Sequence, residues 1–450
     1  MIAILGGGIS GLSLAYQLKK QQKEFVIIEA DKWGGKIQSV QENGFTYELG
    51  PNTVLINNKA IKSILDELQL SYEIIQPNEE AVKNRFVLKN GKIEAIPNSF
   101  SSAWKSKLFK ASTLASILKE PFKKAKNGEA DESLADFSRR RFGNQIYEDF
   151  ITPFVSGIYA GDPEKMSINH TLAILKEAEL NHGSVLKGMP KIIKAKKQLN
   201  EEYQLPKQKI FTFKNGLQKL VDAIVNTLGD KEKIIAQINQ IEKVENGYSL
   251  LINDGKNEQK LFATQVVSTI PAFHLAKICH SMSPSLNKAL NQINYVPAVV
   301  MHWAFPKKNI GFQKAAFGIL SRRDEKVPFL GVLFNSRFFP HQAPANQELI
   351  TVISGGYKQH EILSQTNHQI LEEVEQSLRE LLKIKGEPSL KRIQRWDKGI
   401  PQYEVGHQEL LNEINSFESL NSGFHIQGNF RGGISVSDCI QKSVELALKL

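Results

Sequence analysis

The sequence predicts an α/β protein of more than one domain, and three observations carry that reading. The chain opens on a strand–glycine–helix–strand unit, "IAILGGGISGLSLAYQL" followed by "FVIIE". A lysine-rich stretch from Ser99 to about Gln204 has the apolar spacing of helices. Behind it come strand signals, "IIAQINQIEKV", "YSLLIND" and "QVVSTIPA", and then mixed strand and helix patterns through 295–395. With 450 residues, 41% of them hydrophobic, the chain can bury a large core split over two or three domains.

In the opening unit, Ile2 to Leu5 reads as a short buried strand and Leu12 to Leu18 as a helix. Between them Gly6, Gly8 and Gly11 stand in the GxGxxG spacing, with Gly7, Ile9 and Ser10 filling it. The first glycine permits a tight turn, the second lets a pyrophosphate approach, and the third lets helix pack on strand. The helix N-terminus then faces the diphosphate. The next strand, Phe25 to Ile28, ends in Glu29 and Ala30, and the Glu29 carboxylate can accept hydrogen bonds from ribose hydroxyls. Strand, helix and terminal acid together specify a dinucleotide site rather than an ordinary glycine turn. A second doublet, Gly34-Gly35 with Lys36, follows closely, and "YELGPN" then brings Gly50, Pro51 and Asn52, with Thr53 next. A glycine doublet just behind the ribose acid is a feature of flavin amine-oxidase-type proteins, which favours FAD as the dinucleotide.

Further along, residues 60–70 read as a helix and "RFVLKNGKIEAIP" (85–97) as a hairpin turning at Asn90-Gly91. "FKNGLQKLVDAIVNTL" (213–228) restarts as a helix behind a short loop. The C-terminal stretch "GNFRGGISVSDCI" (428–440) is a second glycine-rich turn leading into a helix. No His/Cys cluster has metal-ligand spacing and no nucleophile elbow is present, so the expected site contains neither metal nor covalent catalyst.

Net charge is +10 and the isoelectric point about 9.2, which suits an anionic surface or a carboxylate-bearing substrate. Seven lysines (Lys105, Lys107, Lys110, Lys119, Lys123, Lys124 and Lys126) face one acid, Glu120, between Ser101 and Asn127. Trp104, Leu108, Ala111, Ala115, Leu118 and Phe122 recur among them at helical spacing. Lys187, Lys191, Lys194, Lys196 and Lys197 follow without an acid between Gly183 and Asn200. Basic amphipathic helices of this kind predict a peripheral, anionic membrane surface. The basic residues lack interleaved base-stacking aromatics, which argues against nucleic acid. Two cysteines, Cys279 and Cys439, and an apolar run beginning at Ile2 predict a cytoplasmic protein without a leader. No apolar run approaches the ~20 residues of a membrane span, so attachment is expected on the inner face of the cell membrane only. A homodimer is compatible with the chain.

Several stretches together resemble the protoporphyrinogen oxidase family. They are "GGGISG", "ELGPN", "RFVLKNGKIEAIP", "FVSGIYAGDPEKMS" (154–167), "FKNGLQ", "LFNSRFFP" (333–340), "IPQYEVGH" (400–407) and the closing "GNFRGGISVSDCI". The resemblance implies a monoamine-oxidase-like flavoprotein with a discontinuous, Rossmann-like FAD domain (1–84, 206–275 and 395–450). It also implies a mixed-sheet substrate domain (85–97 and 276–394) and a helical, membrane-facing domain (98–205). Ile238, Trp396, Asn429 and the Ile434-Ser435-Val436 backbone are the further cofactor contacts it implies. The last helix would aim its N-terminus at the flavin's pyrimidine edge and stabilise charge on the reduced ring.

The implied reaction is the six-electron aromatisation of a porphyrinogen, with O2 as acceptor and hydrogen peroxide as product. Leu320 and Leu330 match leucines that sandwich a pyrrole ring, and Gly157 a glycine whose carbonyl can face the macrocycle N–H groups. Arg85 matches an arginine that meets a substrate propionate. Ile353 falls where relatives can present an aromatic. Protoporphyrinogen IX is favoured over coproporphyrinogen III because the helical domain looks membrane-seeking. An amine oxidase would share the N-terminal half, but its "AGE"-like motif is replaced here by Gln427-Gly428-Asn429, and Val296 to Phe305 lacks a lysine.

Overall fold

The computed structural model describes residues 1–97, 102, 106, 108, 109, 111–126, 128 and 130–450. Its first layer is a five-stranded parallel sheet in the order Lys233–Ile235, Phe25–Glu29, Ile2–Leu5, Gln265–Ser268, Phe424–Ile426. Strands from the beginning, middle and end of the chain thus share one hydrogen-bonded ladder. Every residue of Ile2–Leu5 is buried, as a central parallel strand covered on both faces requires. On one face lie the first helix, Ile9–Lys20, the helix Gln218–Thr227 and the last helix, Val436–Ala447. The other face packs against a three-stranded meander (Gln237–Val244, Gly247–Asn253, Glu258–Ala263) and the helices Ala272–Ile278, Pro284–Gln292 and His407–Leu420.

The second layer is a seven-stranded mixed sheet. Its order is Leu390–Pro401, Tyr295–Pro306, Gln347–Gly355, Gly331–Leu333, Gly318–Ser321, Arg85–Lys89, Lys92–Ala95. The last two strands are the hairpin expected at 85–97, and its turn residues Asn90 (φ 51°) and Gly91 (φ 69°) both take the left-handed conformation that such a turn demands. The expected domain boundary at residue 395 lies inside the strand Leu390–Pro401, which pairs with Tyr295–Pro306 along its length. The boundary expected after 275 lies inside the helix Ala272–Ile278, which packs in the core of the parallel sheet.

The third unit is helical, from Ala111–Lys119 to Val185–Glu202. At its centre Arg141 and Glu120 form an ion pair with both side chains fully buried. The Glu120 carboxylate also accepts from Ser184 Oγ (2.6 Å) and from the N–H groups of Val185 (3.0 Å) and Leu186 (3.2 Å). One acid therefore neutralises a buried guanidinium and closes the start of the helix Val185–Glu202. Removing it leaves the buried guanidinium with only its longer contact to Glu179 (3.3 Å) and strips Ser184, Val185 and Leu186 of their acceptor, a loss of about 3 kcal/mol on the scale of a broken buried pair. Glu120→Ala should lower the unfolding free energy by about that amount, read as a lower urea midpoint at unchanged m-value by circular dichroism.

Candidate flavin site and substrate slot

The two glycine turns near the N-terminus are pressed together. Gly34 donates its N–H to the Gly7 carbonyl at 2.7 Å, and Gly7 donates its own to Glu29 Oε2 at 2.6 Å. Glu29 Oε1 takes the Asp31 N–H at 3.0 Å, so the carboxylate is oriented and still has lone pairs free for hydroxyl donors. Gly6 has φ +102°, which makes the tight turn, and a Cβ on Gly11 would lie 1.9 Å from the Gly6 carbonyl oxygen. Only glycine lets the first helix come this close to the turn. Gly8 is different: nothing lies within 4 Å of the position its Cβ would take. It is the N-cap of Ile9–Lys20, no side chain caps that end, and the first turn carries no acid. The free N–H groups and positive pole of this helix thus face open space that a Cβ would fill, the arrangement a diphosphate needs. Ile9 and Ser10 form the first turn, and Ala30 follows Glu29 as an exposed residue.

Lys36 and Trp396 meet on an open cleft of about 680 Å³ that is also lined by Pro271, Phe273, His274, Arg395, Asp397 and Lys398. The Lys36 Nζ donates to the Lys398 carbonyl at 3.1 Å and to the Gly399 carbonyl, and burial pulls its pKa down to about 8. Trp396 Nε1 donates to the Leu49 carbonyl at 2.7 Å. A Cβ on Gly50 would sit 2.0 Å from the Lys36 carbonyl oxygen, so "ELGPN" and the doublet segment touch. The stretches that carry the resemblance hold one another in the same way. Glu48 accepts from Leu217 N–H at 2.8 Å and Ser39 Oγ at 2.7 Å, and burial raises its pKa to about 7. Asn335 Nδ2 donates to Asn52 Oδ1 at 3.2 Å. Pro51 and Thr53 flank Asn52 and are partly buried. Ile238 packs at the rim of the second core cluster, at a β-bulge two residues after Ala236 bonds the Glu29 carbonyl.

The helix that follows the C-terminal turn lies against the first helix. Ser443 Oγ donates to the Ser10 carbonyl at 2.8 Å, and Asn58 Nδ2 to the Ser437 carbonyl at 3.2 Å. Ile434 packs into the core of the helical unit and Val436 into the core of the parallel sheet, so this segment bridges both. Ser435 is the N-cap, and the Asp438 carboxylate completes a capping box, taking the Ser435 hydroxyl at 2.6 Å. This modifies the expectation for the last helix, because an acid already offsets its positive pole from within. Sequence reasoning also passed over the residues that hold this turn. The Tyr403 hydroxyl donates to the Asn429 carbonyl at 2.7 Å and accepts the Gly433 N–H at 3.0 Å. His407 Nε2 bonds the Phe430 carbonyl at 2.9 Å, and burial, with His170 nearby, pushes its pKa down to about 4. The spacing of "QYEVGH" held the signal, since Tyr403 and His407 sit four residues apart.

The expected substrate residues gather on the mixed sheet. Leu320 pairs with Gly331, and Gly331 with Ile353, on three adjacent strands. Leu330 is buried with Ala160 and Val296, and Ile353 packs against them. A Cβ on Gly157, in the helix Thr152–Tyr159, would lie 2.6 Å from Leu320 Cδ2, so the glycine lets helix and strand close on one another. Arg85 pairs with Gly318, two residues before Leu320, at the other end of the strand. Arg85 as a residue is exposed, yet desolvation by the surrounding protein lowers the pKa of its guanidinium, which lies 5.4 Å from the Phe317 ring centroid beside a cleft of about 340 Å³ lined by Asn84, Phe86, Ile96 and Pro97. Among the described residues no acid lies within ion-pair reach of it. At the opposite end of Arg85–Lys89 the charges are already matched. Lys89 Nζ meets the buried Asp149 at 2.7 Å, Arg322 also pairs with Asp149, and Arg323 lies 3.2 Å from Asp162. Asp149 sits in a π-helical turn, Tyr147–Ile151, whose widened backbone leads directly into Thr152–Tyr159.

Comparison with known proteins agrees with this geometry. The family model for flavin containing amine oxidoreductases matches residues 9–440. The chain belongs to this flavin oxidoreductase family, on its protoporphyrinogen oxidase branch. It is 30% identical to protoporphyrinogen oxidase 1, chloroplastic, of Arabidopsis thaliana, over 99% of this chain and 87% of that protein. It is 28% identical to coproporphyrinogen III oxidase of Bacillus subtilis, over 98% and 96% of the two chains. A crystal structure from Exiguobacterium sp., described as a candidate protoporphyrinogen oxidase, superposes with a TM-score of 0.84 at 20% identity, covering 100% of this chain and 98% of that one. The protein is a flavin-dependent oxidoreductase.

Gly8→Val should separate binding from folding. Its side chain enters open space, so the protein should fold, yet the anion can no longer reach the helix N-terminus. The expected outcome is a folded, colourless protein where the parent is yellow, read from visible absorbance and circular dichroism. Gly11→Ala, in contrast, should fail to accumulate as folded protein.

Proposed function

We propose that the chain uses FAD to oxidise protoporphyrinogen IX to protoporphyrin IX, with O2 as electron acceptor. Gly6 to Gly11, Glu29 and the Gly34-Gly35 doublet would hold the dinucleotide half. Lys36, Gly50, Trp396, Asn429 and Ile434 to Val436 would hold the flavin half. Bound FAD supplies a two-electron acceptor that can take hydride equivalents from the macrocycle in successive steps. The protein's own part is to position and to exclude water. Leu320, Leu330 and Ile353 offer an apolar wall, and Gly157 allows close approach of the facing helix.

The observation that favours protoporphyrinogen IX is the asymmetry of charge along the strand Arg85–Lys89. Among the described residues Arg85 has no acidic partner, whereas Lys89, Arg322 and Arg323 at the far end are taken by Asp149 and Asp162. The ends are about 13 Å apart, four strand steps. One end offers a cation to a carboxylate, and at the other the cations are already committed to acids, which suits a substrate with propionates on one side and vinyls on the other. Coproporphyrinogen III, carrying four propionates, would bring carboxylates to an end whose cations already have acidic partners. Supplying both porphyrinogens aerobically and following porphyrin fluorescence tests the assignment. Faster turnover at low concentration of protoporphyrinogen IX is expected, and a preference for coproporphyrinogen III would reverse it.

The helical unit we assign to a membrane surface. Along Val185–Glu202, Lys187, Lys191, Lys194, Lys196 and Lys197 are exposed, as are Leu186, Ile193 and Leu199. Leu118 and Phe122 are exposed on the neighbouring segment, while Leu108 is buried. Trp104, Lys105, Lys107 and Lys110, which the sequence places on the same stripe, lie outside the described residues. Among the described residues no helix is long and apolar enough to cross a membrane. Each lysine near an anionic surface contributes about 1 kcal/mol. The protein should co-sediment with phosphatidylserine-containing vesicles and release at high salt. Equal indifference to anionic and neutral vesicles would refute the assignment.

Arg85→Ala tests the substrate placement. The contact is remote from the carbon that loses hydride, so it should hold ground and transition states about equally. Losing a charge-assisted hydrogen bond of roughly 1.5–3 kcal/mol should raise KM about 10- to 150-fold and leave kcat nearly unchanged. The FAD content should match that of the parent.

A further inference from the structure

The Asn429–Gly433 turn is costly to order. Gly432 and Gly433 hold φ values of +85° and +126°, and glycine loses more conformational freedom on folding than any other residue. Among the described residues no strand ladder supports the turn; beyond its own Arg431 N–H bond to the Gly428 carbonyl (3.0 Å) and the Arg431–Glu418 ion pair (2.9 Å), it is held from outside. One hydroxyl, that of Tyr403, spans it, donating to the Asn429 carbonyl and accepting from Gly433 N–H. His407 Nε2 holds the middle through the Phe430 carbonyl. A carbonyl only accepts, so Nε2 carries the hydrogen, which fixes the tautomer of the neutral imidazole. The Tyr403 ring stacks on His407 with centroids 4.8 Å apart, and His170 closes edge-on at 5.1 Å from His407. Backbone bonds anchor this pair to the helical unit: Ser167 donates to the Tyr403 carbonyl and Val405 to the Lys165 carbonyl, both at 2.8 Å.

We propose that Tyr403 and His407 are positioning residues that latch the C-terminal cofactor turn in its binding conformation and tie flavin retention to the helical unit. The proposal rests on the assignment of FAD to this turn made above. Neither residue is assigned a contact with substrate or flavin; both act through the backbone of Asn429 to Gly433. The Tyr403 hydroxyl completes two neutral hydrogen bonds to the turn, so its loss should be felt at the cofactor more than in the core, where the ring remains stacked.

The test uses the FAD-loaded protein and three variants. Tyr403→Phe removes the hydroxyl and keeps the ring, His407→Phe removes the donor, and His407→Gln keeps a donor of similar reach. Tyr403→Phe should release FAD about tenfold faster or more, read from recovery of free-flavin fluorescence. It should also change the visible circular dichroism of the flavin that stays bound, because the turn no longer fixes its surroundings. His407→Phe should behave like Tyr403→Phe, and His407→Gln like the parent. Parental FAD release and visible circular dichroism in Tyr403→Phe would overturn the proposal, whether or not Tm falls. A parent protein that holds no FAD would overturn the cofactor assignment, and the proposal with it.

Discussion

The hydrogen bond from Gly34 N–H to the Gly7 carbonyl, 2.7 Å long, is the contact on which the remainder of the site depends. It presses two glycine turns together, and Glu29 stiffens the joint by taking the Gly7 N–H. The joint leaves the uncapped N-terminus of Ile9–Lys20 facing open space over Gly8, with no side chain in the way. An anion there is met by backbone dipoles that need no reorganisation. The last helix packs on the same first helix through Ser443 and the Ser10 carbonyl, so the C-terminal turn is placed relative to the N-terminal one. Two glycine-rich stretches at opposite ends of the chain become one wall.

Much of this was legible in the sequence because the signals were local. Strand, glycines, helix and Glu29 follow in an order that only a βαβ unit satisfies, and Asn90-Gly91 between two apolar runs can only turn. The discontinuity of the parallel sheet was not local. Phe424–Ile426 is three residues long and reaches the sheet by pairing with Gln265–Ser268, a contact no periodicity announces. The expected edges at 275 and 395 fall inside elements for a related reason. Leu390–Pro401 is a single strand, yet its burial varies along its length as it passes from the mixed sheet toward the Lys36 cleft. The Tyr403–His407 latch showed only as a spacing in "QYEVGH"; its partners are backbone groups of Asn429, Phe430 and Gly433, which side-chain identity does not point to. Asp149 was missed because a buried acid shows only once Lys89 and Arg322 are seen around it.

The three units divide the chemistry among them. The parallel sheet supplies rigid backbone donors, the mixed sheet supplies an apolar wall, and the helical unit closes that wall through Gly157. The interface between the last two is pinned by ions: Asp149 holds both Lys89 and Arg322, and Arg323 meets Asp162. Three cations are consumed there in holding the units together. Arg85 is left at the other end, exposed and stacked on Phe317. On the proposed reading, the pairs that fix the domain arrangement also leave Arg85 as the cation for a substrate carboxylate.

The most direct measurement of the central claim is anaerobic. The FAD-loaded protein is mixed with protoporphyrinogen IX in the absence of O2, and the flavin's visible band is followed together with porphyrin fluorescence. Each macrocycle gives up six electrons and each flavin takes two. The account predicts that three flavins bleach for every porphyrin formed, and that admitting O2 restores the oxidised spectrum. A flavin that stays oxidised with the porphyrinogen, or that is bleached by a simple amine instead, would contradict it.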